Sequence, residues 1–155
     1  MLALLPSLRG FARFLARAPA LADDLVQETV LRALDRMAQY EAGTSLKAWC
    51  FTILRNLFLE QRRRGKKERE VLANYGQHPQ QRAVPSADGR QEVHELEALL
   101  WQLTPLLREA LVLIGAQGMT YAEAAEICAV DVGTIKARVS RARTMLHKLA
   151  QPQAE

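Results

Sequence analysis

The chain has 155 residues, 49% hydrophobic and 25% charged, with a formal net charge of +4. The length is that of about one domain, the composition is globular, and the modest positive excess leans toward polyanionic partners. Two cysteines far apart in sequence and three scattered histidines exclude a disulfide framework and show no metal-ligand spacing.

The N-terminus, MLALLPSLRGFARFLARAPALA, starts apolar. No charged region precedes the apolar run, and Arg9 and Arg13 interrupt it, so it reads as neither signal peptide nor membrane span. Cytoplasmic residence is the resulting expectation. Nearly every ordered segment has a helical period, and no strand alternation is found. A first helix is expected from about Pro6 to Arg17, with Leu8, Phe11, Ala12 and Leu15 on its apolar face. A second is expected from about Leu21 to Gln39, with Leu21, Leu25, Val30, Leu34 and Met37 inward. Its exposed face offers Asp24, Gln27 and Glu28, with Arg32 one turn on.

Ala42-Gly43-Thr44-Ser45 reads as a loop with capping residues at its end. A third helix follows, about Leu46 to Arg64, with Trp49, Ile53 and Leu57 on a broad apolar surface that makes Trp49 a core residue. Cys50 and Cys128 each lie within an apolar helical pattern, as buried free thiols of a reducing compartment would. Arg62 to Arg69, RRRGKKER, holds six basic residues and one acid.

From Asn74 to Gln91 the sequence NYGQHPQQRAVPSADGRQ loses apolar periodicity and gains proline, glycine and glutamine, which is linker composition. The chain therefore reads as all-α, two small helical domains joined by a flexible linker: residues 1–73, a linker 74–91, residues 92–150 and a short tail 151–155. Helices resume at about Gln91 to Gln102. Thr104-Pro105, a cap followed by proline at the first helical position, opens another that runs to Ala116 and ends at Gly118.

Residues 120–143, TYAEAAEICAVDVGTIKARVSRAR, carry the densest signal. Thr120 and Glu123 are spaced as a capping box, and small Ala124 and Ala125 let another helix cross closely. Cys128-Ala129-Val130 breaks the helical pattern, and Asp131 can cap the next helix. Helix-turn-helix turns often hold glycine here; if Ala129 needs a positive φ, the cost relative to glycine is roughly 1 kcal/mol. In the second helix Ile135, Val139, Ala142 and Met145/Leu146 face inward, while Lys136, Ala137, Ser140 and Arg141 face out together. From Val132 to Ala150 there are five Lys/Arg and no acid. A basic amphipathic helix often only faces solvent, but the capped tight turn and close crossing fit a helix-turn-helix whose second helix enters a DNA major groove.

DDLVQETVLRAL at 23–34, GTSLKAWCFTILRN at 43–56 followed by RRR, and LREALVLIGAQGMTYAEAAEICAVDVGTIKARVSRAR at 107–143 together resemble the extracytoplasmic-function group of bacterial sigma factors, in their regions 2.2, 2.3–2.4 and 4. The wording is similar in particular to the general-stress-response sigma factors of alphaproteobacteria. The resemblance implies that region 2 holds the RNA polymerase clamp and reads the −10 promoter element, and that region 4 reads the −35 element. It implies core polymerase as partner, through the β′ clamp and the β flap, with Asp24, Gln27 and Glu28 meeting the β′ coiled coil. Tyr40 to Leu46 would form the pocket for a flipped −10 base, with Tyr40, Thr44 and Ser45 supplying groups and Asn56 a further −10 contact. Arg55, Arg62, Arg63 and Arg64 would hold −10 phosphates.

On the reader helix, Lys136, Ala137, Ser140 and Arg141 would meet −35 base edges: lysine and arginine suit guanine N7/O6, and alanine a thymine methyl. Thr134, Arg138 and Arg143 would grip −35 phosphates. A small anti-sigma protein is implied as a further partner. No paired acid/base constellation, nucleophile elbow, phosphate loop or metal set is found. The expectation is therefore a non-enzyme with no cofactor, no metal, no small-molecule substrate and no membrane contact. The alternative is a stand-alone helix-turn-helix regulator, which leaves the first domain without a job. A sigma-like decoy for an anti-sigma factor is a third reading, disfavoured by the intact basic face.

Overall fold

The computed structural model describes residues 1–73 and 91–151. The chain divides into two compact units, Met1–Val84 and Pro85–Glu155. The linker expected at 74–91 lies outside the described residues apart from Gln91, as does the tail beyond Gln151.

In the first unit α1 (Leu5–Ala16), α2 (Pro19–Asp35) and α3 (Leu46–Ala73) pack pairwise against one another. Proline sits in the first turn of both α1 and α2, where its missing N–H costs nothing and its fixed φ suits a helix start. Leu8, Phe11 and Ala12 are buried as expected from the sequence, and Leu15 is half-buried. The rings of Phe11 and Phe51 stack at 4.7 Å with 3° between their planes, joining α1 to α3. Thr29 is fully buried, and its hydroxyl donates to the Leu25 carbonyl at 2.6 Å, which removes the cost of a buried polar group.

The buried stripe of α2 differs from the expected one. Ala22, Leu25, Val26, Thr29 and Ala33 face inward, whereas Leu21, Leu34 and Met37 are exposed. At 3.6 residues per turn Leu21 and Leu34 lie roughly 100° or more from the centre of that stripe. Small Ala22 and Ala33 let α1 and α3 approach closely, and Met37 belongs to a separate 3₁₀ turn, Met37–Gln39. The third helix is also longer than its apolar pattern suggests: α3 runs for 28 residues, through the basic run.

The second unit contains α4 (Gln91–Gln102), α5 (Pro105–Leu111), α6 (Tyr121–Cys128) and α7 (Val132–Ala150). The expected helix from Thr104-Pro105 to Ala116 changes pitch: α5 ends at Leu111 and continues as a π turn, Val112–Ala116, before Gly118 reverses the chain at φ 66°. The core is built from Leu100, Leu103, Ala110, Leu113, Ile127, Ile135 and Val139. On α7 Ile135, Val139 and Ala142 are buried and Leu146 is half-buried, while Met145, expected inward with it, is 42% exposed because it falls beside that stripe.

Arg108 and Glu109 are both buried and both satisfied. The Arg108 guanidinium donates to the Leu103 carbonyl at 3.1 Å and lies 3.8 Å from the Trp101 ring centroid. The Cys128 thiol donates to the Glu109 carboxylate at 3.3 Å. Both cysteines are buried thiols, and burial pushes the Cys50 thiol above its ordinary pKa, away from the reactive thiolate.

Candidate nucleic-acid interface

The second unit presents its basic helix through two capped starts and one left-handed turn. The Thr120 hydroxyl accepts from the Glu123 N–H at 3.0 Å, and the Glu123 carboxylate accepts from the Thr120 N–H at 2.9 Å, completing the capping box read from the sequence. Helix α6 ends at Ala129, which adopts φ 55°, ψ 44°. That conformation lets the Val130 N–H return to the Ala125 carbonyl at 3.0 Å, satisfying a helix-end acceptor. Asp131 then accepts from the Thr134 N–H at 2.7 Å and caps α7. Hydrogen bonds from Thr134, its side chain first and its backbone second, hold the Asp131 carboxyl below the usual carboxylate range.

Lys136, Ala137, Ser140 and Arg141 are all exposed and share the face of α7 opposite Ile135, Val139 and Ala142. Arg138 (half-buried) and Arg143 (exposed) flank that stripe. Thr134 is half-buried and engaged with Asp131. The four residues of the outward stripe include two cations and no acid, so this face concentrates positive potential on a convex ridge of helical width, the shape a major groove admits.

In the first unit Tyr40, Thr44 and Ser45 form a small ordered loop leading into α3. The Tyr40 hydroxyl donates to the Thr44 carbonyl, the Thr44 hydroxyl to the Glu41 carbonyl at 2.7 Å, and Gly43 supplies the turn at φ 96°. The Ser45 hydroxyl accepts from the Ala48 N–H at 3.1 Å and caps α3. Trp49 is half-buried rather than core. Its ring tilts against Tyr40 at 5.4 Å, so it lines the loop. Asn56 is exposed two turns further along the same face as Trp49 and Thr52, and Arg63 continues that face. Arg62, Arg63 and Arg64 are exposed, with the Arg62 guanidinium 5.7 Å from the Phe58 ring centroid, and Arg55 is half-buried.

Asp24, Gln27 and Glu28 are exposed on one face of α2. The Arg32 guanidinium lies 3.8 Å from Glu28 and 3.6 Å from Glu60, an exposed bridge from α2 to α3. Sequence reading missed Leu31, 63% exposed and one turn beyond Gln27 and Glu28. Its i+3/i+4 spacing from them was the available signal. Leu31 also borders an open groove of about 740 Å³ between α1 and α2, floored by Leu5, Val26 and Val30 and rimmed by Arg9, Arg13 and Asp23. Among the described residues no group of three or more His, Cys, Asp or Glu is placed to hold a metal ion, and no helix is long and apolar enough to cross a membrane.

A three-helix unit with a long basic helix, followed by a capped helix-turn-helix unit, is the arrangement of a sigma-70-type initiation factor. The Sigma-70 region 2 family matches residues 1–68, and the Sigma-70, region 4 family matches residues 94–146. The chain is 47% identical over 150 residues to the ECF RNA polymerase sigma factor EcfG of Rhodopseudomonas palustris (strain TIE-1), covering 96% of this chain and 82% of that protein. It is 35% identical over 133 residues to the ECF RNA polymerase sigma factor SigC of Mycobacterium tuberculosis (strain CDC 1551 / Oshkosh), covering 84% and 71%. Among solved structures it is similar to the sigma factor RpoE of Bartonella quintana, crystallised with the anti-sigma factor NepR. That match has a TM-score of 0.81 and 44% identity over 96% of this chain and 92% of that one. The chain belongs to the ECF RNA polymerase sigma factors, the family that directs core polymerase to promoters.

Proposed function

We propose that this sigma factor divides promoter recognition between its two units, with residues 1–73 holding core polymerase and the −10 element and residues 92–150 reading the −35 element. The observation that carries the reading is the outward stripe of α7: Lys136, Ala137, Ser140 and Arg141, exposed together on a helix whose start and preceding turn are fixed by caps. Lys136 and Arg141 donate to guanine N7/O6, Ala137 meets a thymine methyl, and Ser140 bonds either kind of edge. Thr134, Arg138 and Arg143 hold the flanking phosphates and set the register of the helix without reading sequence.

In the first unit the loop of Tyr40, Thr44 and Ser45, backed by Trp49, receives a −10 base turned out of the stack, and Asn56 contacts the strand further along α3. Flipping costs a few kcal/mol, which an aromatic wall and free hydroxyl lone pairs repay. Arg55, Arg62, Arg63 and Arg64 follow the phosphates along α3, adding salt-dependent affinity. Asp24, Gln27 and Glu28, with Leu31 as apolar anchor, meet the polymerase β′ clamp, and the second unit meets the β flap. The chain supplies binding and no catalytic chemistry of its own, and acts in the cytoplasm.

An anti-sigma partner is part of the same reading. The similar Bartonella sigma factor is held by NepR. This chain exposes Leu31 and Leu34 on its first unit and Leu96 and Leu106 on its second, apolar surface that a small helical partner can cover. Such control fits a stress response. The deciding experiment is run-off transcription with purified core polymerase on a promoter library. Transcripts from a shared −35/−10 pair that vanish with Lys136→Ala/Arg141→Ala are the expected result. No transcripts, with duplex binding by the chain alone, would instead favour a stand-alone regulator.

A further inference from the structure

We propose that Tyr121 is a positioning residue for promoter recognition: its ring holds the Lys136 ammonium over the outward face of α7 and so sharpens which base the lysine selects. The inference rests on Lys136 reading a base, as proposed above. Lys136 Nζ lies 5.6 Å from the Tyr121 ring centroid, within the distance of about 6 Å at which an aromatic face attracts a cation. Lys136 itself is exposed and makes no ion pair with any described residue. The ring is the partner that restrains it.

The ring is well placed to restrain it because its own backbone is fixed. Tyr121 is the first residue of α6, immediately after the Thr120 cap, and the reciprocal Thr120–Glu123 hydrogen bonds lock that turn. Lys136 rises from the start of α7, whose first turn Asp131 holds through Thr134. Two capped helix starts therefore fix the backbones from which ring and lysine project, while the half-buried Tyr121 side chain cannot swing away without exposing its apolar face.

The physical consequence is selectivity. A lysine ammonium is a compact charge on a flexible stem with rotatable donors, so a free one satisfies a phosphate, a guanine or a neighbouring base pair nearly alike. Attraction of the ammonium to the ring face biases the side chain away from those geometries before DNA arrives, and part of the rotamer entropy is lost in the free protein rather than on binding. An exposed cation–π contact is weak, so the effect on discrimination is roughly two- to five-fold rather than all-or-none.

The test uses the full chain with core polymerase and a template library randomised across the −35 element, read as base preference per position. Lys136→Ala identifies the position that Lys136 reads, by flattening preference there. If it flattens none, the base-reading assignment fails, and this inference with it. Given such a position, Tyr121→Leu is expected to lower discrimination there roughly two- to five-fold while other −35 positions and the −10 preferences stay as in wild type. Tyr121→Phe, which keeps the ring, is expected to behave as wild type. Unchanged preference in Tyr121→Leu overturns the inference, and so does a Tyr121→Phe that loses as much as Tyr121→Leu, because the hydroxyl and not the ring would then be responsible. Should Tyr121→Leu lose helical structure by circular dichroism, Tyr121→Met takes its place under the same criteria.

Discussion

Replacing Ala129 with glycine should stabilise the helix-turn-helix unit. Ala129 holds φ 55°, ψ 44°, where a Cβ crowds the following carbonyl oxygen at a cost of about 1–2 kcal/mol. Glycine relieves that crowding but has more backbone freedom to lose on folding, an opposing effect of about 0.4–1 kcal/mol. The Val130 N–H to Ala125 carbonyl bond of 3.0 Å involves neither side chain and survives the change. The difference leaves Ala129→Gly more stable by about 1 kcal/mol, or about 4–8 °C in the melting temperature of a unit this small. Calorimetry of the full chain measures it, with the transition of the second unit assigned as the one that a Phe51→Ala substitution in the first unit leaves unmoved. The β-branched Ala129→Val tests the converse and should melt lower. A melting temperature unchanged or lowered by glycine would refute the reasoning, since it would mean that the left-handed turn stores no strain for glycine to release.

Thr120→Ala removes the hydroxyl that accepts from Glu123 and should cost about 1 kcal/mol, seen as a lower urea midpoint at unchanged slope. Phe51→Ala deletes a fully buried ring stacked on Phe11 and should cost about 3–5 kcal/mol, enough to unfold the first unit and abolish binding to core polymerase in a pull-down. Because hydrogen bonds from Thr134 depress the folded pKa of Asp131, its contribution to stability is complete above the ordinary carboxylate value near 4 and is lost as pH falls through the lowered one. Thermal melts across that acid range should fall more steeply for wild type than for Asp131→Asn, which caps without titrating, and parallel curves would count against the capping role.

The second unit was legible in the sequence because its signals are local. A capping box needs Thr120 and Glu123 three residues apart, and the Asp131 cap needs Thr134 three residues on. Both caps close within one turn, so their partners can be read from sequence separation alone. The inward stripe of α7 could be counted from Ile135 and Val139 for the same reason. On α2 the leucine spacing does not mark the core, because the face that docks is set by where α1 and α3 can approach. Ala22, Thr29 and Ala33 allow that approach, and Leu21, Leu31 and Leu34 are left facing solvent. The spacing of Trp49 with Ile53 and Leu57 points it at the core, whereas its half-burial and its contact with Tyr40 depend on the intervening loop closing back onto α3.

The sequence by itself determined the helical class, the division into two units, the helix-turn-helix with its caps, and the basic outward stripe of α7. These follow from composition, from a period of 3.6, and from hydrogen bonds between residues three or four apart, all of them signals carried by local sequence separation. Tertiary structure alone decided which leucines of α2 remain exposed, that α5 gives way to a π turn, that Cys128 pairs with buried Glu109, and that Lys136 rests near the ring of Tyr121. Those outcomes depend on which helix faces can approach one another. That is settled by the volumes and rotamers of residues distant in sequence, which no local spacing records.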